Sequence, residues 1–121
     1  MDDPIERLRE ICLALTEATE KEAWGEPTFR IRDKIFAQVS NNHHDDRVAV
    51  WCKAPAGVQE MLVKGDPTRS FRPPYVGHKG WIGVYLDVEV DWDELADIVE
   101  ESYRMTAPKR LLAERDAARA G

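Results

Sequence analysis

The chain has 121 residues, 43% of them apolar and 33% charged, with a formal net charge of −6. That suffices for one domain with one modest core and is too short for two. No apolar run approaches the roughly 20 residues of a membrane span, and the opening Met1-Asp2-Asp3-Pro4 lacks the basic and apolar regions of a signal peptide. A single cytoplasmic domain over residues 1–121, monomeric by default, is the starting expectation.

Asp3-Pro4-Ile5-Glu6 reads as a helix start: Asp3 caps, Pro4 suits the first helical position, and Glu6 completes a capping box. Ile5, Leu8, Cys12 and Leu15 recur at helical spacing and define one buried stripe, with the helix closing near Lys21 ahead of Gly25 and Pro27. The period then changes. Phe29 and Ile31 alternate with Arg30 and Arg32, and Ile35 to Val39 follow Asp33-Lys34, which predicts a hairpin whose turn lacks glycine. Residues 41–46 form a polar loop. Residues 47–53 make a third strand with Val48, Val50 and Cys52 on one face.

Pro55 opens a short helix carrying Val58, Met61 and Leu62 that stops at Gly65. A long glycine- and proline-bearing loop covers 65–80, and loops of that length are more often functional than idle. Residues 81–86 form another strand with Ile82, Val84 and Leu86 facing inward, and 71–76 are a candidate short strand before it. Asp91 caps the next helix, Glu94 closes its box, and Trp92, Leu95, Ile98, Val99 and Tyr103 supply its stripe. Pro108 interrupts, leaving 109–121 as a final helix or a frayed end. Strands and helices run in blocks, α-βββ-α-β(β)-αα, which predicts an α+β two-layer domain with helices on one face of an antiparallel sheet.

The acids are concentrated. Residues 87–101 hold eight Asp and Glu and no base, while residues 28–79 hold nine bases and five acids. Part of the acidic run has a structural reason, since acids in a first helical turn complement the helix dipole. The middle of the chain is mildly basic, and the surface is read either as a mixed solvated face or as a bipolar one with a side able to meet phosphate.

Chemistry-bearing residues are few. Cys12 and Cys52 both fall on apolar faces and read as buried free thiols. His43 and His44 sit in the polar loop without the clustered partners of a metal site. His78, beside Lys79 and near Tyr75, has no Ser, Cys or carboxylate near it in sequence, and Glu26 reads as tying down its turn. No residue stands out as a nucleophile, no glycine loop has P-loop spacing, and neither a cofactor nor a metal is implied, so the reading leans away from an enzyme. Alternation sends Trp51, Trp81 and Tyr85 to the sheet face away from the helices, with Gly83 between two of them leaving a shallow recess. Exposed, these aromatics would stack on bases or hold a planar ligand; covered by the 65–80 loop, they would complete a second small core.

Trp24-Gly25-Glu26-Pro27-Thr28-Phe29-Arg30 and Lys34-Ile35-Phe36-Ala37, followed by Trp51, Tyr75, His78, Lys79, Trp81, Asp87 and Ser102-Tyr103, resemble the signature of the MmcQ/YjbR family of small bacterial proteins. The resemblance covers about four fifths of the chain. It implies an α+β fold likened to a double-winged domain and to the CyaY-like fold, and by analogy DNA binding. The DNA-facing positions would be Arg30, Arg32 and Lys34 on the first hairpin and Arg69, Arg72, His78 and Lys79 on the later loop. With a net charge of −6, that binding is expected to be weak and salt-sensitive. The alternative is a small-molecule or peptide binding module built on Trp51, Tyr75, Trp81 and Tyr85, with its recess around Trp81.

Overall fold

A computed structural model describes residues 3–41 and 47–120; His43 and His44 lie outside them. Among the described residues the chain forms α1 (Pro4–Leu13), β1 (Thr19–Ala23), β2 (Glu26–Ile31), β3 (Lys34–Asn41), β4 (Val48–Cys52), α2 (Val58–Gly65), β5 (Ser70–Phe71), β6 (Ile82–Tyr85), α3 (Trp92–Thr106) and α4 (Lys109–Ala120), with a 3₁₀ turn at Gly77–Lys79. The strands form one six-stranded antiparallel sheet in the order β1-β2-β3-β4-β6-β5. This is the α+β layered arrangement expected, with one strand more at its leading edge.

That extra strand corrects the reading of 14–21 as helix. The helix closes at Leu13, Glu17 takes a left-handed backbone (φ 60°), and Thr19–Ala23 pair with β2. Thr-Glu-Lys-Glu-Ala carries no apolar alternation, and its residues favour helix or are neutral. Pairing and side-chain ties override that preference. Thr28 Oγ1 donates to the Lys21 carbonyl, Arg9 pairs with Glu20 at 2.7 Å, and the Tyr103 hydroxyl donates to the Thr16 carbonyl at 2.7 Å.

Two tight hairpins follow, each turning on two residues with positive φ: Trp24-Gly25 (55° and 78°) and Arg32-Asp33 (51° and 66°). Positive φ at both central positions matches the right-handed twist of the flanking strands. Asp33 tolerates that conformation better than most residues, which is how the second turn forms without glycine.

The core lies between the inner sheet face and α1 and α3. Leu8 and Cys12 meet Phe29, Ile31, Phe36 and Val39, with Val50, Cys52 and Ile82 continuing the layer and Leu95, Val99 and Tyr103 closing it. Both cysteines are free and fully buried, and burial pushes the Cys52 thiol up to about 12. The helix caps match the sequence: Asp3 accepts from the Ile5 N–H at 2.9 Å and Asp91 from the Glu94 N–H at 3.0 Å. Glu6 turns instead to Arg9. The final segment is a docked helix, with Leu111 buried and Arg115 both paired to Glu100 at 2.7 Å and lying over the Tyr103 ring.

The register explains how α3 is fixed. Phe29 pairs with Ala37 but Arg30 with Ile35, so Phe36 is an extra, bulged residue. The β3–β4 ladder stops at Ala37 opposite Cys52. At the next step the buried Ser102 hydroxyl intervenes: it accepts from the Lys53 N–H at 2.9 Å and donates to the Phe36 carbonyl at 2.5 Å. One side chain thus bridges β3 and β4 just past the end of their ladder. The Phe36 ring then meets Tyr103 edge to face at 5.6 Å.

Ser102→Ala should therefore leave two backbone groups without partners and lower stability by about 1–3 kcal/mol. Urea unfolding would show a reduced midpoint at unchanged m-value.

Candidate functional site

The outer sheet face carries Lys21, Thr28, Arg30, Gln38, Ser40, Trp51 and Tyr85 by alternation from the observed registers. Two parts of it are closed. At β5–β6 the Phe71 ring lies on Gly83, where a Cβ would stand 2.3 Å from the ring, and it stacks on Tyr85 at 4.6 Å. The recess expected at Gly83 is thus filled by Phe71. The other face of Tyr85 is covered by the Arg47 guanidinium, 3.5 Å from the ring centroid, and Asp87 holds that guanidinium at 2.8 Å. At β1–β2, Arg30 is mostly buried, donating to Thr28 Oγ1 at 3.1 Å and pairing with Asp33 at 3.5 Å.

Between these parts the face is concave. A cleft of about 500 Å³ is lined by Ala23, Trp24, Glu26, Gln38, Ser40, Trp51, Tyr75 and their neighbours Val39 and Val76, and its wall is predominantly apolar. Trp51 forms the floor at 5% exposure. Trp24 and Tyr75 stand at its rim at 70% and 75%, the most exposed large apolar side chains among the described residues. Both have left-handed backbone, φ 55° and 66°. For a non-glycine residue that costs about 1–2 kcal/mol, and such strain persists only where the surroundings impose it. Trp24 occupies the first central position of a turn that favours Asn, Asp or Gly.

The loop bearing Tyr75 is itself anchored. Buried Gln59 on α2 donates to the carbonyls of Gly77 (2.8 Å) and Trp81 (2.5 Å), and the Arg72 side chain lies against Gly77, where a Cβ would meet its Cγ at 2.6 Å. Trp81 is half-buried and stays outside the cleft lining. Of the four aromatics expected to form a ligand surface, Trp51 and Tyr75 share the cleft, while Trp81 and Tyr85 lie elsewhere. Trp24 and Gln38 were missed as lining residues. A tryptophan in a two-residue turn was the one sequence signal available for the first, and only the strand register reveals the second.

The basic positions divide. Arg32 pairs with Glu17 at 3.0 Å, and Arg69 donates to the Glu89 carbonyl at 3.2 Å in a hollow it shares with Asp91. Arg72 and His78 are exposed on the loop. Lys34 and Lys79 approach a third lysine, Lys53: partial burial first, and then the charges of those two, hold the Lys53 ammonium below the usual lysine range. Among the described residues no cluster of three His, Cys, Asp or Glu is placed to hold a metal ion, and no helix is long and apolar enough to cross a membrane.

An antiparallel sheet with helices on one face and an aromatic cleft on the other defines a small α+β layered domain. The family model for YjbR matches residues 13–105, and the chain belongs to that family. Among solved structures it is similar to Deinococcus radiodurans protein DR2400, described by the family domain DUF419. That likeness covers 85% of this chain and 80% of the other at 20% identity, with a TM-score of 0.70. No curated protein matches.

The Arg47–Asp87 pair beside Tyr85 has a pH signature. The hydrogen bond from Arg47 holds the Asp87 carboxyl below its ordinary 3.8 in the folded protein. Its stabilisation is therefore fully present above the unfolded value and is lost as pH falls through the lowered folded one. Being partly exposed, it is worth about 1 kcal/mol at most. Asp87→Asn should lower stability at pH 7 by that order and flatten the acid limb below about pH 4, read from urea midpoints between pH 2 and 7.

Proposed function

We propose that this YjbR-family protein is a binding module whose outer-face cleft takes a planar aromatic ligand, stacked against Trp51 and flanked by Trp24 and Tyr75. One observation carries the reading: the two most exposed aromatic side chains among the described residues lie on the rim of the same apolar cleft, each in left-handed backbone. A Trp that is 70% exposed contributes little to folding, and the turn at Trp24 would be more stable with asparagine. Aromatic walls with a few polar groups, here Glu26, Gln38 and Ser40, suit a ligand that stacks through its faces and hydrogen-bonds through its edge. The cleft volume is in the range of small-molecule sites.

DNA binding, which the family resemblance implies, is the second reading. It draws on Lys34 and Lys79 at one end of the sheet, on either side of β4, and on rim aromatics able to stack on unpaired bases. The engagement of Arg30, Arg32 and Arg69 with internal partners removes three of the seven residues that two basic wings would use. With a net charge of −6, duplex binding without them is weak.

Trp24→Asn tests the first reading directly. It should leave stability unchanged or raise it by about 1 kcal/mol, since Asn-Gly is the favoured pair for this turn. At the same time it should abolish binding of planar probes such as adenosine, guanosine, indole and quinoline. Thermal shift and tryptophan quenching with that set should find at least one stabiliser of the wild type. No shift with any of them at millimolar concentration would remove the reading, and tight duplex DNA binding in its place would favour the second.

A further inference from the structure

The cleft carries charge of one sign. Among the described residues that line it, Glu26 is the one with an acidic or basic side chain, and no Lys, Arg or His joins it. Glu26 opens β2 and is half-buried. Alternation puts it on the outer face two residues before Thr28, and the row Thr28, Gln38 and Trp51 then crosses β2, β3 and β4. Gly25 alone separates it from Trp24, so the carboxylate and the rim indole belong to the same hairpin end. Arg30 and Arg47, the outer-face arginines to either side of the cleft, pair with Asp33 at 3.5 Å and with Asp87 at 2.8 Å.

The walls around this carboxylate include Trp24, Trp51 and Tyr75. An aromatic ring is electrostatically negative on its face and positive at its edge. A cation set over the face is therefore attracted, most strongly over Trp and more as water is excluded. A carboxylate in the same cleft adds to that attraction, and apolar walls screen it less than open solvent does. A half-buried carboxylate bordered by apolar surface also loses hydration, which a bound cation replaces. A neutral planar ligand gains the stacking alone. Three aromatic rings, one acid and no base thus favour a ligand that is both flat and positively charged.

We infer that the cleft selects a cation, and that its ligand is a planar heteroaromatic ring bearing a fixed positive charge, as in an N-alkylated pyridinium or quinolinium. The inference rests on the reading of the cleft as a site for planar ligands, and the experiment separates the two. Calorimetry compares quinoline with N-methylquinolinium and nicotinamide with N-methylnicotinamide, with tetramethylammonium as a non-planar cation. The members of each pair have nearly the same shape and differ by one charge. The added methyl also blocks the ring nitrogen, so a gain in affinity reads charge and not a new hydrogen bond. Each planar cation should bind at least about tenfold more tightly than its neutral partner at low salt, with the gain shrinking at high salt. Glu26→Gln should cut that ratio at least about threefold. Gln38→Lys, which brings a cation into the lining, should take it to one or below. Glu22→Gln, which removes an exposed carboxylate of β1 outside the lining, should keep it.

Equal binding within each pair would overturn the charge selection and leave the planar cleft standing. Tetramethylammonium binding as tightly as the planar cations, and weakened by Glu26→Gln, would keep the charge selection and overturn the planar reading beneath it. An unchanged ratio in a folded Glu26→Gln protein would overturn the inference outright. Where that variant fails to fold, an unchanged ratio in Gln38→Lys does the same.

Discussion

Ser102 holds the molecule together at the point where its sheet would otherwise fail. The bulge at Phe36 lies in the β2–β3 pairing, the β3–β4 ladder ends beside it at Ala37–Cys52, and in a buried interior the carbonyl and N–H left there would each cost about 1–3 kcal/mol. The Ser102 hydroxyl serves both, as acceptor for Lys53 and donor to Phe36. Because that hydroxyl belongs to α3, the same contact fixes the helix against the sheet. Its neighbour Tyr103 extends the clasp, packing on Phe36 and reaching the Thr16 carbonyl, where α1 gives way to β1. Four elements are located by two adjacent residues.

The bulge also organises the outer face. Inserting Phe36 changes which residues of β3 point inward, so that both Phe36 and Ala37 are buried while Gln38 and Ser40 reach the cleft. A regular strand would have turned Phe36, Gln38 and Ser40 to the same side. The irregularity beside Ser102 thus lets the inner face be packed and the outer face be polar and concave.

Local features of this fold were legible in the sequence wherever a side chain acts on its own neighbourhood. Asp91 and Glu94 announce α3, Gly65 ends α2, and the alternations 48–52 and 82–86 describe β4 and β6. The family signature was legible too, since Trp24 to Phe36 and Ser102-Tyr103 mark the junctions that the fold depends on. Strand β1 was not, because Thr19 to Ala23 has the composition of an exposed helix and becomes a strand only through β2, Arg9 and Thr28. The cleft was half legible. Trp51 and Tyr75 were in view, but Trp24 entered only as the start of the family signature, and no spacing rule joins residue 24 to residue 75.

Strand β1 has a last consequence, for how copies of this protein meet one another. It is the long open edge of the sheet, and such an edge offers unpaired backbone groups to any passing strand. Its central run is Glu20-Lys21-Glu22, all exposed. Two copies docking edge to edge about Lys21 would set Lys21 opposite Lys21 and each Glu20 opposite a Glu22. Like charges directly opposed across antiparallel strands are destabilising. The charge order that disguised this segment as helix therefore makes the edge a poor template for itself, and guards the sheet against growing into a polymer.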